Sequence, residues 1–189
     1  MLLDVMKDFE WLNEPRKLAY SDAGMAVSTE AQTDFWQSVQ HQVHKDNGHF
    51  FFTPRDGNFT LTLQWQFGDY SGFRQCGLML RLDERNWIKM GLMAAEAGKP
   101  QIGTVVTHRG NSDWAVHDLP VSGDVLWFRV RRLKGDYIFF VSADGEKFRQ
   151  LRLVTFHSES PVIQAGAYAC SPQEQPFDCT LKTLDFCTD

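Results

Sequence analysis

Asn58-Phe59-Thr60-Leu61-Thr62-Leu63-Gln64-Trp65-Gln66-Phe67 is the stretch that decides the fold class. Successive side chains of a strand leave opposite faces. Strict alternation therefore puts Phe59, Leu61, Leu63, Trp65 and Phe67 on one face, with Thr60, Thr62, Gln64 and Gln66 on the other. The same period runs through Gln75–Leu82, with Cys76, Leu78, Leu80 and Leu82 inward. It returns after the polar turn Asp83-Glu84-Arg85, in Asn86–Met93, where Ile88, Met90 and Leu92 point inward and Trp87, Lys89 and Gly91 outward. Further strands fit 100–108, 113–117, 124–132, 136–142, 147–154, 162–169 and 177–186. Turn residues separate them at Arg109-Gly110-Asn111, Ser122-Gly123, Lys134-Gly135-Asp136 and Asp144-Gly145. Asp144-Gly145 between alternating runs reads as a hairpin. Ahead of residue 48, Trp11, Leu18–Tyr20 and Met25–Val27 read as short edge strands and Gln37–His44 as one helical turn. No longer segment has helical periodicity. About a dozen short strands imply an all-β domain of two packed antiparallel sheets, a sandwich or jelly roll.

Composition bounds the rest. The chain has 189 residues, 19 Lys+Arg against 24 Asp+Glu, and 43% hydrophobic residues, which suits one globular domain across 1–189. A net charge of −5 argues against a nucleic-acid partner, which wants a basic face. No run of 18 apolar residues is present, so no membrane span is expected. Asp4, Lys7 and Asp8 interrupt any apolar leader, which points to a cytoplasmic location. Cys76, Cys170, Cys179 and Cys187 lack CxxC spacing and read as reduced thiols, Cys170 and Cys179 being the pair a hairpin would bring face to face. Aromatic residues make up 13% of the chain, enough either to fill a core or to line a binding surface.

Several segments occur in a characteristic order: Asp46-Asn-Gly-His-Phe50, Gly77-Leu-Met-Leu-Arg-Leu-Asp83, Asn86-Trp-Ile-Lys-Met-Gly91, Val105-Val-Thr107, Ser112-Asp-Trp114, Ser142-Ala-Asp-Gly145 and Cys170-Ser-Pro172. The set resembles the DUF1349 family, over about residues 10–186. The resemblance implies the concanavalin A-like lectin/glucanase fold, in which one sheet is curved and its concave face can hold a glycan. It also implies a regulatory or interaction role in contact with a metabolic enzyme. Family members often carry an acidic residue where this chain has Met93, so chemistry by a carboxylate there is not expected.

Outward rows are the place to look for a site. Trp87 and Lys89 share one. In Val125–Arg131, Leu126, Phe128 and Val130 point one way and Trp127, Arg129 and Arg131 the other. Tyr137 and Phe139 share a face, as do Gln164 and Tyr168, and Phe140 falls on an inward row with Phe59, Trp65 and Phe128. Indole planes stack on sugar C–H faces, and Arg forks pair with carboxylates or phosphates. A ligand set of Trp87, Lys89, Asp113, Trp114, Arg129, Tyr168 and Gln64 follows, for a small carbohydrate-like or anionic molecule bound without catalysis. An enzyme using Lys89 and Arg129 is the further alternative. The bland reading has outward Trp packed under a loop and Arg129 paired with Asp113. The paired carboxylates of glycoside hydrolysis, zinc spacing around His41 and His44, nucleophile elbows and phosphate or dinucleotide fingerprints do not stand out, so no metal or cofactor is expected.

Overall fold

The computed structural model describes residues 5–68, 72–94, 100–118, 123–156 and 160–188. A 3-10 turn at Met6–Asp8 precedes β1 (Glu10–Leu12), β2 (Lys17–Ser21), β3 (Gly24–Ser28), β4 (Phe35–Ser38), β5 (Val43–Asp46), β6 (His49–Arg55) and β7 (Phe59–Phe67). Then follow β8 (Gln75–Asp83), β9 (Asn86–Ala94), β10 (Pro100–His108), β11 (Asn111–Asp118), β12 (Val125–Leu133), β13 (Asp136–Ser142), β14 (Arg149–Thr155), β15 (Ile163–Cys170) and β16 (Asp178–Cys187). A nine-stranded sheet runs β1-β6-β15-β8-β9-β10-β11-β4-β5, and a seven-stranded sheet β14-β13-β12-β7-β16-β3-β2. The fold is thus the expected all-β sandwich of two antiparallel sheets. Gln37–His44 is not a helical turn: Phe35↔Asp46 to Ser38↔Val43 pair as a hairpin.

Between the sheets the alternation reads true for β7 to β9. Phe59, Leu61, Leu63, Trp65 and Phe67 meet Leu78, Leu80, Ile88, Met90 and Leu92 in one cluster. Trp65 also donates its Nε1–H to the Gly77 carbonyl of the facing sheet at 3.0 Å, so the largest core ring keeps its polar atom satisfied. In β13 the phase is opposite to that expected. Tyr137, Phe139 and Val141 enter the core, and Phe140 turns outward, because Tyr-Ile-Phe-Phe-Val is apolar in both phases and alternation cannot choose. All four cysteines are free. Cys179 meets Cys76 rather than Cys170: burial, then the hydrogen bond with Cys76, raises its pKa. Cys170 belongs to a second cluster on the far face of the nine-stranded sheet.

That second cluster follows from chain connectivity. β5 is one edge of the sheet and β6 lies next to the other, seven strand spacings away. Laid flat, this is about 34 Å. Yet Asp46 and His49 are joined only through Asn47 and Gly48, a span of at most about 11 Å. The sheet must therefore curl, with the face turned away from the seven-stranded sheet on the inside. Asn47 and Gly48 both donate backbone N–H to the Asp34 carbonyl at 3.1 Å. Asn13 donates through Nδ2 to the carbonyls of Asp46 and Gly48. The Arg81 guanidinium grips both Asp46 oxygens at 2.6 and 2.8 Å. Gly48 is required here, since a Cβ would sit 2.4 Å from the Phe35 ring.

Register aligns the concave face in rows. Phe52, Gly166, Met79, Lys89, Val105 and Trp114 form one; Phe50, Tyr168, Gly77, Gly91, Gly103 and Val116 form the next. The three central glycines of the second row make room for other groups. A Cβ on Gly91 would meet the Cys76 carbonyl at 2.4 Å and the Tyr168 hydroxyl at 2.6 Å, and one on Gly103 would meet Met93 Sδ. On the opposite side of the molecule, residues 143–148 fold over the seven-stranded sheet. A Cβ on Gly145 would meet the Trp127 ring, and Arg129 lies 3.5 Å from the Phe148 ring centroid. Asp144 Oδ1 holds this loop by accepting from the N–H groups of Glu146 and Lys147 and the Ser142 hydroxyl.

Two outcomes follow. Gly91→Ala forces backbone apart in the sheet centre, and denaturant melts should show a loss of about 3 kcal/mol or no folded protein. The N–H groups of Lys147 and Glu146 and the Ser142 hydroxyl lower the Asp144 pKa to about 2. A depressed carboxylate stabilises above its unfolded pKa and stops doing so as pH falls through the folded value. The Gly145–Lys147 amides should thus lose exchange protection between about pH 4 and 2, and Asp144→Ala should abolish that step.

Candidate functional site

Within the curl, β4 and the segment before it face the β8–β9–β10–β11 floor. A cavity of about 270 Å³ lies between them, lined by Asp34, Trp36, Phe73, Gln75, Lys89, Met93, Val105, Trp114 and Pro172. Its walls are rings. Trp36 and Phe73 each stand with centroids 6.4 Å from that of Trp114, at interplanar angles of 80° and 71°. They make a box, not a flat platform.

The floor is polar and centred on Lys89, which is only 1% exposed. Its ammonium donates to Asp34 Oδ1 at 3.0 Å and Gln75 Oε1 at 2.9 Å. It also lies 5.7 and 5.6 Å from the Trp87 and Tyr168 ring centroids, within cation–π range. Asp34 Oδ1 further accepts from the Phe35 N–H at 2.8 Å and the Cys170 thiol at 3.7 Å. Burial pushes that thiol up; Lys89 pulls it back and Asp34 adds to the rise, so it remains a neutral donor. Desolvation likewise raises the Tyr168 phenol.

The expected ligand set divides. Lys89 and Trp114 line the cavity, Trp114 being 44% exposed at its mouth. Trp87 and Tyr168 are fully buried behind the floor, supporting Lys89 rather than meeting a ligand. Asp113 points from the other side of β11, where its carboxylate lies 3.6 Å from Arg152 of the seven-stranded sheet. Arg129 and Gln64 occupy the outer face of that second sheet, where Arg129 Nε donates to Thr62. Alternation separates inward from outward but does not say which sheet a row belongs to, and so two distant faces were merged. Asp113 faces Arg152 rather than Arg129, and Arg129 and Lys89 lie on different sheets, so the structure does not bring these two cations together. Trp127 under Gly145 fits the reading of an outward indole covered by a loop.

Asp34, Trp36, Phe73 and Gln75 were not expected. Phe35-Trp36-Gln37-Ser38 does carry the signal, since Phe35 and Gln37 are buried while Trp36 and Ser38 are less so. The amide-rich run after it masked this. Among the described residues, His44, Asp46 and Glu84 offer ligand atoms within 4.8 Å of one another, but both Asp46 oxygens are already held by Arg81.

The structure is a two-sheet antiparallel β-sandwich with a pocket on its curled nine-stranded sheet. Residues 11–188 match the model of a protein family of unknown function, DUF1349, and the chain belongs to that family. It is 29% identical over 163 residues to Regulation of enolase protein 1 of Saccharomyces cerevisiae, spanning 86% of this chain and 81% of the yeast protein. The crystal structure of a functionally unknown protein from Saccharomyces cerevisiae superposes with a TM-score of 0.89 at 27% identity, covering 97% of this chain and 98% of the other. The carbohydrate-binding module CBM66 from Bacillus subtilis shares the fold with a TM-score of 0.61 at 11% identity, over 94% and 95% of the two chains.

The Lys89–Asp34 pair predicts unequal substitutions. Asp34→Ala strands a buried ammonium and should cost about 3 kcal/mol, whereas Lys89→Met leaves a carboxylate that reaches solvent and should cost about 1 kcal/mol. Thermal or urea melts that rank the two the other way would contradict this account of the floor.

Proposed function

We propose that the protein is a non-catalytic binding module whose concave-sheet pocket takes a small polar, carbohydrate-like ligand. The observation that carries the reading is the cavity itself: three ring walls around a polar floor, on the face the sheet curls around. Aromatic faces bury C–H surface while fixed polar atoms orient the ligand. The fold likeness to a carbohydrate-binding module supports the reading at the level of architecture. Asp34 is the sole carboxylate among the described lining residues and is already paired, which does not suit the two-carboxylate chemistry of glycoside hydrolysis.

A second reading, a regulatory module that contacts a metabolic enzyme, is supported by the name of the yeast relative. It requires a stable protein partner that surface changes outside the pocket disrupt.

Ligand-observed NMR with neutral sugars and sugar phosphates at millimolar concentration tests the lead. Trp114 is half exposed, so Trp114→Ala should leave the melting temperature nearly unchanged while weakening the bound sugar about tenfold. Silence across the panel, or binding indifferent to Trp114→Ala, would overturn it.

A further inference from the structure

We infer that this pocket selects a single neutral polyhydroxylated ring and discriminates against both its acid and its amine counterparts. The inference rests on the binding-module reading and narrows its ligand class. Three features of the pocket carry it.

The charges at the floor are already balanced. Among the described residues that line the cavity Lys89 is the one cation, and Asp34 lies 3.0 Å from its ammonium. An anionic ligand would find no uncommitted cation there and would approach a carboxylate instead.

The open polar atoms form a donor and acceptor pair. Among the described residues every hydrogen bond to the Asp34 carboxylate falls on Oδ1, which leaves Oδ2 of this cavity-lining side chain as an open acceptor. An ammonium can only donate, so Gln75 must turn Oε1 toward Lys89, and its Nε2 is left as a donor. No protein partner for that Nε2 is found among the described residues, although Gln75 is only 6% exposed. Both side chains grip the same Lys89 ammonium, so the two open atoms are within reach of one ligand unit. A hydroxyl pair donates to Oδ2 and accepts from Nε2. A carboxylate in place of either hydroxyl cannot donate to Oδ2, and an ammonium there cannot accept from Nε2, so a charged group seated on the floor leaves one of the two atoms unmatched.

The cavity is also small. Its 270 Å³ falls just under the range of about 300–1,000 Å³ that holds drug-sized ligands. The perpendicular walls of Trp36 and Phe73 against Trp114 suit one ring rather than an extended chain.

The test is calorimetry at pH 7 with matched probes: glucose, galactose and mannose, their uronic acids and their 2-amino sugars. At least one neutral sugar should bind, with its acid and amine counterparts weaker by about tenfold or more. A charged counterpart that binds equally or more tightly overturns this inference and leaves the binding-module reading standing. Failure of every probe overturns both. Gln75→Glu supplies a second arm. It keeps the contact to Lys89, replaces the open donor by an acceptor, and should remove the preference for the neutral sugar over its amine. A folded Gln75→Glu protein, checked by its melting temperature, that keeps the parent's preference overturns the assignment of Nε2.

Discussion

The two-residue step from Asp46 to His49 is the constraint on which the site depends. It joins strands that a flat sheet would hold far apart, and so converts the outer face of the nine-stranded sheet into the lining of a hollow. Everything specific to that hollow repeats the same requirement. Asp34 receives the backbone of Asn47 and Gly48 and reaches Lys89; Asp46 receives Arg81; Asn13 closes over the turn from the N-terminal side. By contrast, β4 joins β11 through the single pairing Asn111↔Ser38. The hairpin of β4 and β5 is thus held by side chains and a short turn more than by sheet hydrogen bonds.

A buried lysine is an expensive way to fill such a space, because removing two charges from water costs several kcal/mol per ion before their attraction is counted. Here the cost is reduced by three means. Asp34 keeps partial access to solvent, its side chain being 20% exposed. Gln75 supplies a neutral acceptor. The Trp87 and Tyr168 rings present their electron-rich faces at cation–π range. An apolar residue at 89 would fill the floor but could hold neither the Asp34 oxygen nor the Gln75 amide in a fixed orientation. The ion pair is better understood as the device that aims two polar atoms than as a source of stability.

How much of this could be read from the residues differs by element. β7, β8 and β9 alternate cleanly, so their strands, inner faces and the outward row of Trp87 and Lys89 were legible. β13 was not, because Tyr137 to Val141 is apolar in both phases and only packing against β12 and β14 selects one. Arg129 and Gln64 are outward as expected, yet on the seven-stranded sheet rather than on the one that holds Lys89. The pocket walls were the least legible part. Trp36 and Asp34 gain their meaning from a long-range closure that local periodicity does not encode, and the run Gln37–His44 has the polar look of a helical turn until its partner strand is known.

Size alone would have chosen a different site. A more open groove of about 570 Å³ runs along β2, β3, β16 and β7, lined by Leu18, Ala19, Ala26, Val27, Gln66 and others. Its lining combines short side chains with Arg16, Lys17, Asp124 and Asp178, and the Gln66 amide is already spent on Asp124. The smaller cavity has half the volume but combines stacking surface with polar atoms held in place by a buried pair. Affinity follows from pre-placed groups rather than from area, and the curled face sets such groups beside ring walls. Asp34 Oδ1 already accepts from Lys89, the Phe35 amide and Cys170, so the contacts that hold this carboxylate in the cavity wall also set the orientation of the polar floor.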